Sequence, residues 1–252
     1  PTAVGKTALG IALWRAFAGE IVSADSRQFY RGMDIGTAKP DAAELAQARH
    51  HLIDIADPNE TVGLAQFLSR ARAAIDDILQ RSRLPFIVGG TGQYVRAVAE
   101  GWQIPRVPAD EMLRAELAAF AAAHGHAALH ERLAGGGPAG AAAIDPRNVR
   151  RVVRALEVHA HAGVRASESA RRRPPDWDVV WLGLVRPRTV LYERIDRRID
   201  GMIAAGLEAE VRGLVARGYG FDLPAMSALG YREWRGLLAG EIDRDAVVRL
   251  IR

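Results

Sequence analysis

Seven residues at the start of the chain have the types and spacing to hold phosphate. Pro-Thr-Ala-Val-Gly-Lys-Thr at 1–7 matches the last seven positions of the pattern G-x-x-x-x-G-K-S/T. Gly5 lets the backbone approach an anion closely, and successive N–H groups along Thr2, Ala3, Val4 and Gly5 can form a concavity around it. The helix expected from Lys6 points its positive end at the same place. Lys6 adds a point charge, and the Thr7 hydroxyl is placed to bind Mg²⁺. The plainer alternative is a Gly-Lys pair at an ordinary helix start. The pattern implies a phosphate-rich ligand, ATP and other nucleotides included, without saying what becomes of it. Its opening Gly would precede Pro1, and the last helical pattern runs to Arg252, so both ends are expected to be cut.

Other stretches could carry the chemistry. Asp-Ser-Arg-Gln-Phe-Tyr at 25–30 is polar for the end of a strand aimed at a phosphate site. Asp25 could bind Mg²⁺, act as a general base or cap a turn, and the spacing leaves all three open. Gly-Gly-Thr-Gly at 89–92 allows a tight turn, with Thr91 either capping the next helix or facing a ligand. A phosphate-loop ATPase often ends a buried strand in an Asp that helps hold Mg²⁺. Here that strand ends in Gly-Gly-Thr, and Asp54 and Asp57 are the available substitutes. Arg147, Arg150, Arg151 and Arg154 make one basic helix face. It reads first as a solvated surface and second as a nucleic-acid contact. Arg194, Arg197 and Arg198 form another basic group, where Glu193 and Asp196 point to surface ion pairs. The seven His residues show no metal-ligand spacing.

The elements that must position these residues alternate. Residues 20–24 read as a buried strand, 51–55 as another, and 86–88 as a third. Leu64, Phe67, Leu68, Ala71, Ile75, Ile78 and Leu79 recur at helical spacing, and a further helix is expected over 93–99. Alternating strands and helices imply an α/β fold, a parallel sheet with helices on both faces. Ligands of such sheets bind outside the carboxyl ends of the strands, which brings Asp25 and Thr91 towards the phosphate loop. From about 110 to 161 the pattern is helical and Ala-rich, interrupted by a flexible Gly-rich turn at 134–140. A strand is expected again at 179–185, and the remainder is mainly helical. The organisation predicted is a core of 1–106 and 178–252 around an all-helical insertion domain of 107–177.

The ordered set of motifs resembles a known family. Added to 1–7, 25–30 and 89–94 are Gly-Met-Asp-Ile-Gly-Thr-Ala-Lys-Pro at 32–40, Arg-Arg-Val-Val-Arg-Ala-Leu-Glu at 150–157 and Ala-Leu-Gly-Tyr-Arg-Glu at 228–233. Together they are similar to the bacterial tRNA dimethylallyltransferases over nearly the whole chain. Phe29 and Gln93 depart from the family's usual Val and Leu. The resemblance implies a P-loop NTPase-like core that transfers a dimethylallyl group from dimethylallyl diphosphate to the exocyclic amine of an adenosine beside the tRNA anticodon. It implies that Thr2, Ala3, Val4, Gly5, Lys6 and Thr7 hold the diphosphate with Mg²⁺, and that Arg198 contacts it. Asp25 matches the family's base, and Thr91 a residue of the reaction channel that meets the target adenosine. Asp25, Ser26, Arg27 and Gln28, then Arg150, Arg151, Val152, Val153 and Arg154, then Ser227, Ala228, Leu229, Gly230, Tyr231 and Arg232 match segments that meet the tRNA anticodon stem-loop. Arg114 is added across a variable loop.

Composition narrows the setting. A length of 252 residues, 49% of them hydrophobic, suits an ordinary globular protein. No apolar run is long enough for a transmembrane helix, and without cysteine neither disulfides nor thiolate metal sites arise. A cytoplasmic monomer is expected. The net charge of +4 allows an anionic partner, and nearly all the positive charge is Arg, which suits bidentate phosphate contacts. The other readings are a kinase or prenyltransferase acting on a free nucleotide or small metabolite, and a nucleotide-switched RNA-binding protein.

Overall fold

The structure is a computed structural model. It describes residues 2–105, 107–136, 138–162 and 172–252. Pro1 of the first motif, Gly137 of the Gly-rich turn and Arg171 of the polar stretch at 171–175 therefore lie outside the described residues. The chain divides into two compact units, one of 1–98 with 179–252 and the other of 99–178.

The first unit holds a small parallel sheet. Helix α1 (Lys6–Phe17) leads into β1 (Glu20–Ser23), then α2 (Ala42–Gln47), β2 (His50–His51), α3 (Leu64–Gln80), β3 (Pro85–Val88) and α4 (Gly92–Ala99). The strand order is β2-β1-β3, with Ile21 opposite both His50 and Phe86. Every residue of β1 is buried, as befits a central parallel strand covered on both sides. Helix α3 turns Phe67, Leu68, Ala71, Ile75 and Ile78 inward, the stripe its spacing predicts. Asp41 starts α2 with a reciprocal cap: its carboxylate accepts from the Glu44 N–H, and Glu44 accepts from the Asp41 N–H. The unit is completed by α8 (Arg188–Ala204), α9 (Leu207–Ala216), a 3₁₀ turn at Ala225–Ser227, α10 (Trp234–Leu238) and α11 (Arg244–Ile251).

The second unit is helical, as its Ala-rich pattern predicts. It consists of α5 (Glu111–Gly136), α6 (Pro138–Ala142) and α7 (Val149–Ala162). Its core joins Leu117, Leu129, Leu133, Ile144 and Val152. Helix α5 kinks at Gly125, where φ is 85°.

Three expectations fail. The 51–55 run supplies only His51 to β2, because Leu52 and Asp54 turn into left-handed backbone with φ of 64° and 54°, where a strand cannot continue. The 179–185 run is no strand. Among the described residues no backbone hydrogen bond joins it to another segment, and Val180 and Val185 are 83% and 90% exposed. Apolarity makes a segment suitable for a sheet, but a strand exists only with a ladder partner. The Gly-rich stretch is also less of a break than its composition predicts, since α5 runs through Gly136 and α6 starts at Pro138. Pro is tolerated there because the first turn of a helix needs no N–H from it.

Candidate functional site

The site of the first unit is built where the loops after β1 and β3 approach residues 2–7. Gly5 sits just before α1 in the left-handed conformation, with φ of 109°. That backbone is open to glycine at no steric cost and lets α1 start directly at Lys6. Three guanidinium groups hold the preceding residues. The Arg186 Nε donates to the Val4 carbonyl at 2.8 Å, the Arg194 Nε to the Ala3 carbonyl at 2.7 Å, and an Arg198 Nη to the Thr2 hydroxyl at 3.2 Å. Arg194 and Arg198 lie one helical turn apart on α8. The surface ion pairs expected for this helix with Glu193 and Asp196 do not form among the described residues. Arg194 turns to the loop instead, and Arg197 donates to the Glu193 carbonyl of its own helix.

Electrostatics mark the same place. Burial pushes the Lys6 ammonium below its usual range, opposed by the Asp25 charge and reinforced by Arg198. Burial likewise lowers Arg198, again opposed by Asp25. Two cations are thus held where burial disfavours their charge, with one carboxylate in their field. An anion arriving there recovers that lost favour.

Asp25 and Thr91 are brought together as the strand ends predict. The Thr91 hydroxyl accepts from the Ser26 N–H at 3.0 Å and bonds the Ser26 hydroxyl at 3.2 Å. Its side chain therefore ties two loops, while its carbonyl receives the Tyr94 and Val95 N–H groups at the start of α4. Asp25 uses one carboxylate oxygen to accept from the Arg27 N–H at 3.0 Å. Gly89 is needed for this approach: a Cβ there would overlap the Ala24 carbonyl. A buried stack fixes the frame. Phe67 of α3 lies 5.8 Å from Phe29 and 4.4 Å from Tyr94, ring centre to ring centre, so α3, α4 and the 25–30 loop share one packed cluster. Phe29 is the ring that the 25–30 loop contributes to this stack.

Loops further along the chain close the arrangement. Arg27 donates to the Pro224 carbonyl at 2.9 Å, which brings the 25–28 segment to the 225–232 segment. Gln28 donates to the Ala38 carbonyl at 3.1 Å. The 34–36 backbone is held by Glu210 of α9, which accepts from the Asp34, Ile35 and Gly36 N–H groups and from the Tyr231 hydroxyl. Tyr231 and Ala228 are buried, Ser227 bonds the Pro224 carbonyl, Gly230 turns with φ of 92°, and Arg232 pairs with Glu233. Leu229 stands out at 58% exposed. Lys39 is buried against the Tyr30 carbonyl, Asp34 and Asp54.

The donor set for a metal is sparse. Among the described residues no three His, Asp or Glu side chains converge. Asp54 is paired with Lys39 and Asp57 with Arg31, so neither substitute carboxylate is spare. Thr7 borders a cavity of about 20 Å³ with Ser23, Gln28, Pro40 and His50, room for about one water. A hard hydroxyl oxygen fits Mg²⁺ when substrate phosphates and water complete its shell.

In the second unit the basic face divides. Arg150 and Arg151 are exposed. Val152 is fully buried in the core and Val153 packs against it. Arg154 bonds the buried Glu157 and donates to the Val107 carbonyl. Arg114 holds Glu157 from the other side, at 2.9 and 3.2 Å. Burial alone would raise the Glu157 carboxyl, but the Asp110 N–H and these two guanidinium groups hold it below its usual range. Arg147 stays outside the group, paired with Asp145.

A model of the IPP transferase family matches residues 28–252. The chain belongs to the IPP transferase family. It is 56% identical over 251 residues to a tRNA dimethylallyltransferase of Roseiflexus sp. strain RS-1, covering 99% of this chain and 82% of that protein. The full-length tRNA isopentenylpyrophosphate transferase of Bacillus halodurans is 43% identical with a TM-score of 0.70, over all of this chain and 79% of that one. A eukaryotic dimethylallyltransferase solved while acting on tRNA shares the fold, with a TM-score of 0.79 at 24% identity over 100% of this chain and 64% of that one.

The IPP transferase motifs point to most of these residues but not to Arg186 or Glu210, and they mark Arg194 only as part of a basic helix group. Arg186 and Arg194 bond backbone carbonyls, which no sequence pattern displays. Glu210 carries no motif of its own, and the only signal was the 32–40 run whose N–H groups it collects.

Proposed function

We propose that this IPP transferase moves a dimethylallyl group from dimethylallyl diphosphate to the exocyclic amine of an adenosine beside the tRNA anticodon. The observation that carries this reading is the meeting of Asp25 and Thr91 with a phosphate-loop motif whose cations are held partly buried. In the reaction the amine nitrogen attacks the allylic carbon. A carbon–nitrogen bond forms, the carbon–oxygen bond breaks, and the diphosphate leaves with the electron pair. Asp25 takes the proton that the amine loses. Lys6, Arg198 and the loop N–H groups face the charge that develops on the leaving diphosphate. Thr7 offers the protein oxygen for Mg²⁺, which would neutralise part of that charge when bound. Thr91 borders the channel through which the base, withdrawn from the anticodon stack, reaches Asp25. The P-loop NTPase-like class of the core and action as a cytoplasmic monomer belong to the same reading. Tritiated dimethylallyl diphosphate incubated with the protein and unmodified tRNA should label the tRNA. Labelling of free adenylate but not of tRNA, or ATP-dependent phosphorylation of a small metabolite without prenylation, would replace it.

A further inference from the structure

Arg194 has a bond that its sequence surroundings do not explain. Glu193 and Asp196 flank it, yet among the described residues it forms no ion pair and instead donates to the Ala3 carbonyl at 2.7 Å. Ala3 lies in left-handed backbone, φ 55°, although it is not glycine. A non-glycine residue keeps that conformation only where its surroundings hold it. In a planar trans peptide the carbonyl of one residue and the N–H of the next point to opposite sides. Holding the Ala3 carbonyl towards α8 therefore turns the Val4 N–H away from α8. Arg186 does the same to the next peptide, through the Val4 carbonyl and the Gly5 N–H. N–H groups turned to one side are what a loop needs to receive an anion.

We propose that Arg194 is a positioning residue for the diphosphate: it fixes the backbone of the 2–5 loop with its N–H groups towards the leaving group, while Arg198 on the same helix face contacts that group. The proposal rests on the diphosphate reading above. It is tested on the full chain by titrating inorganic pyrophosphate with Mg²⁺ calorimetrically, and by measuring kcat and KM for dimethylallyl diphosphate, tRNA affinity and the thermal midpoint. Arg194→Ala is expected to weaken pyrophosphate about ten- to a hundredfold, the effect of one charge-assisted hydrogen bond. KM for the allylic diphosphate should rise in step, with tRNA affinity and midpoint unchanged. Arg194→Lys, which keeps a cationic donor, should recover part of the loss. Arg197→Ala, which removes only a bond within α8, should match the wild type. Equal pyrophosphate affinity in Arg194→Ala and the wild type would overturn the proposal. So would a loss shared equally by pyrophosphate affinity, tRNA affinity and midpoint, which marks a merely structural arginine. If the wild type itself binds no pyrophosphate, the diphosphate reading falls and this proposal with it.

Discussion

Asp25 has two oxygens with different duties. One accepts from the Arg27 N–H, and the other faces Gly90, where a Cβ would come within 3.1 Å of it. The turn needs only an acceptor, whereas a general base needs a carboxylate. Asn keeps the first property and lacks the second, so Asp25→Asn separates them. The variant should fold and bind both substrates as the wild type does, yet turn over about a hundred to ten thousand times more slowly. Single-turnover assays at saturating tRNA and diphosphate measure this, and wild-type rates would remove Asp25 from the role of base. The Thr91 hydroxyl, bonded across to Ser26, holds the same loop in place.

At the scale of elements, what was legible followed from burial. The α3 stripe reads correctly because that helix buries one face, and the β1 run because the strand is buried on both. The 179–185 run shows the limit, since hydrophobic composition says nothing of whether an edge is there to pair with. The site divides in the same way. Glycines, Asp25 and Thr91 are visible as types and spacing, but the Arg194 and Glu210 bonds go to backbone groups that every residue carries. Helix α7 makes the distinction testable. A basic face at helical spacing is one pattern, yet the fold gives its members different work. Arg150 and Arg151 are free to meet phosphate, while Arg154 braces a buried carboxylate. Arg150→Ala and Arg151→Ala should therefore weaken tRNA binding, each flattening the logarithmic salt dependence by about 0.7–0.9, with no change in the urea midpoint. Arg154→Ala should also lower stability, by about 1–3 kcal/mol, because Glu157 stays buried with a partner removed. If Arg150→Ala and Arg151→Ala retain wild-type affinity and slope, the face is a solvated surface and the RNA contact lies elsewhere.

Across the whole molecule the two ends of the sheet carry opposite charge logic. At the carboxyl ends burial lowers the Lys6 and Arg198 cations, with Asp25 opposing it. At the amino end the buried Glu20 already has its cations. Arg81 binds it with both terminal nitrogens, His51 lies at 2.6 Å, and Arg49 and Arg83 lie at 3.6 and 3.8 Å. The Arg81 hydrogen bonds, with His51 adding, outweigh burial and hold the Glu20 carboxyl down to about 2, against an ordinary value of 4.5. A carboxylate lowered by folding stabilises the fold at every pH above its unfolded value. That contribution is lost as pH falls through 4.5 towards 2, where both states become protonated. Glu20→Gln should therefore be less stable than the wild type at pH 7. The cost should be about 1–3 kcal/mol, a charged bond lost without a buried charge being stranded, because the arginines reach solvent. The gap should narrow steadily below pH 4.5 and close near pH 2. Asp110, Asp145 and Glu157 are also lowered, but they act equally in both chains, so the difference curve isolates Glu20 together with Asp77, which shares Arg81. Urea midpoints measured from pH 7 down to pH 3 give that curve. Two parallel acid limbs would mean that Glu20 carries no such linkage and that Arg81 serves Asp77 alone.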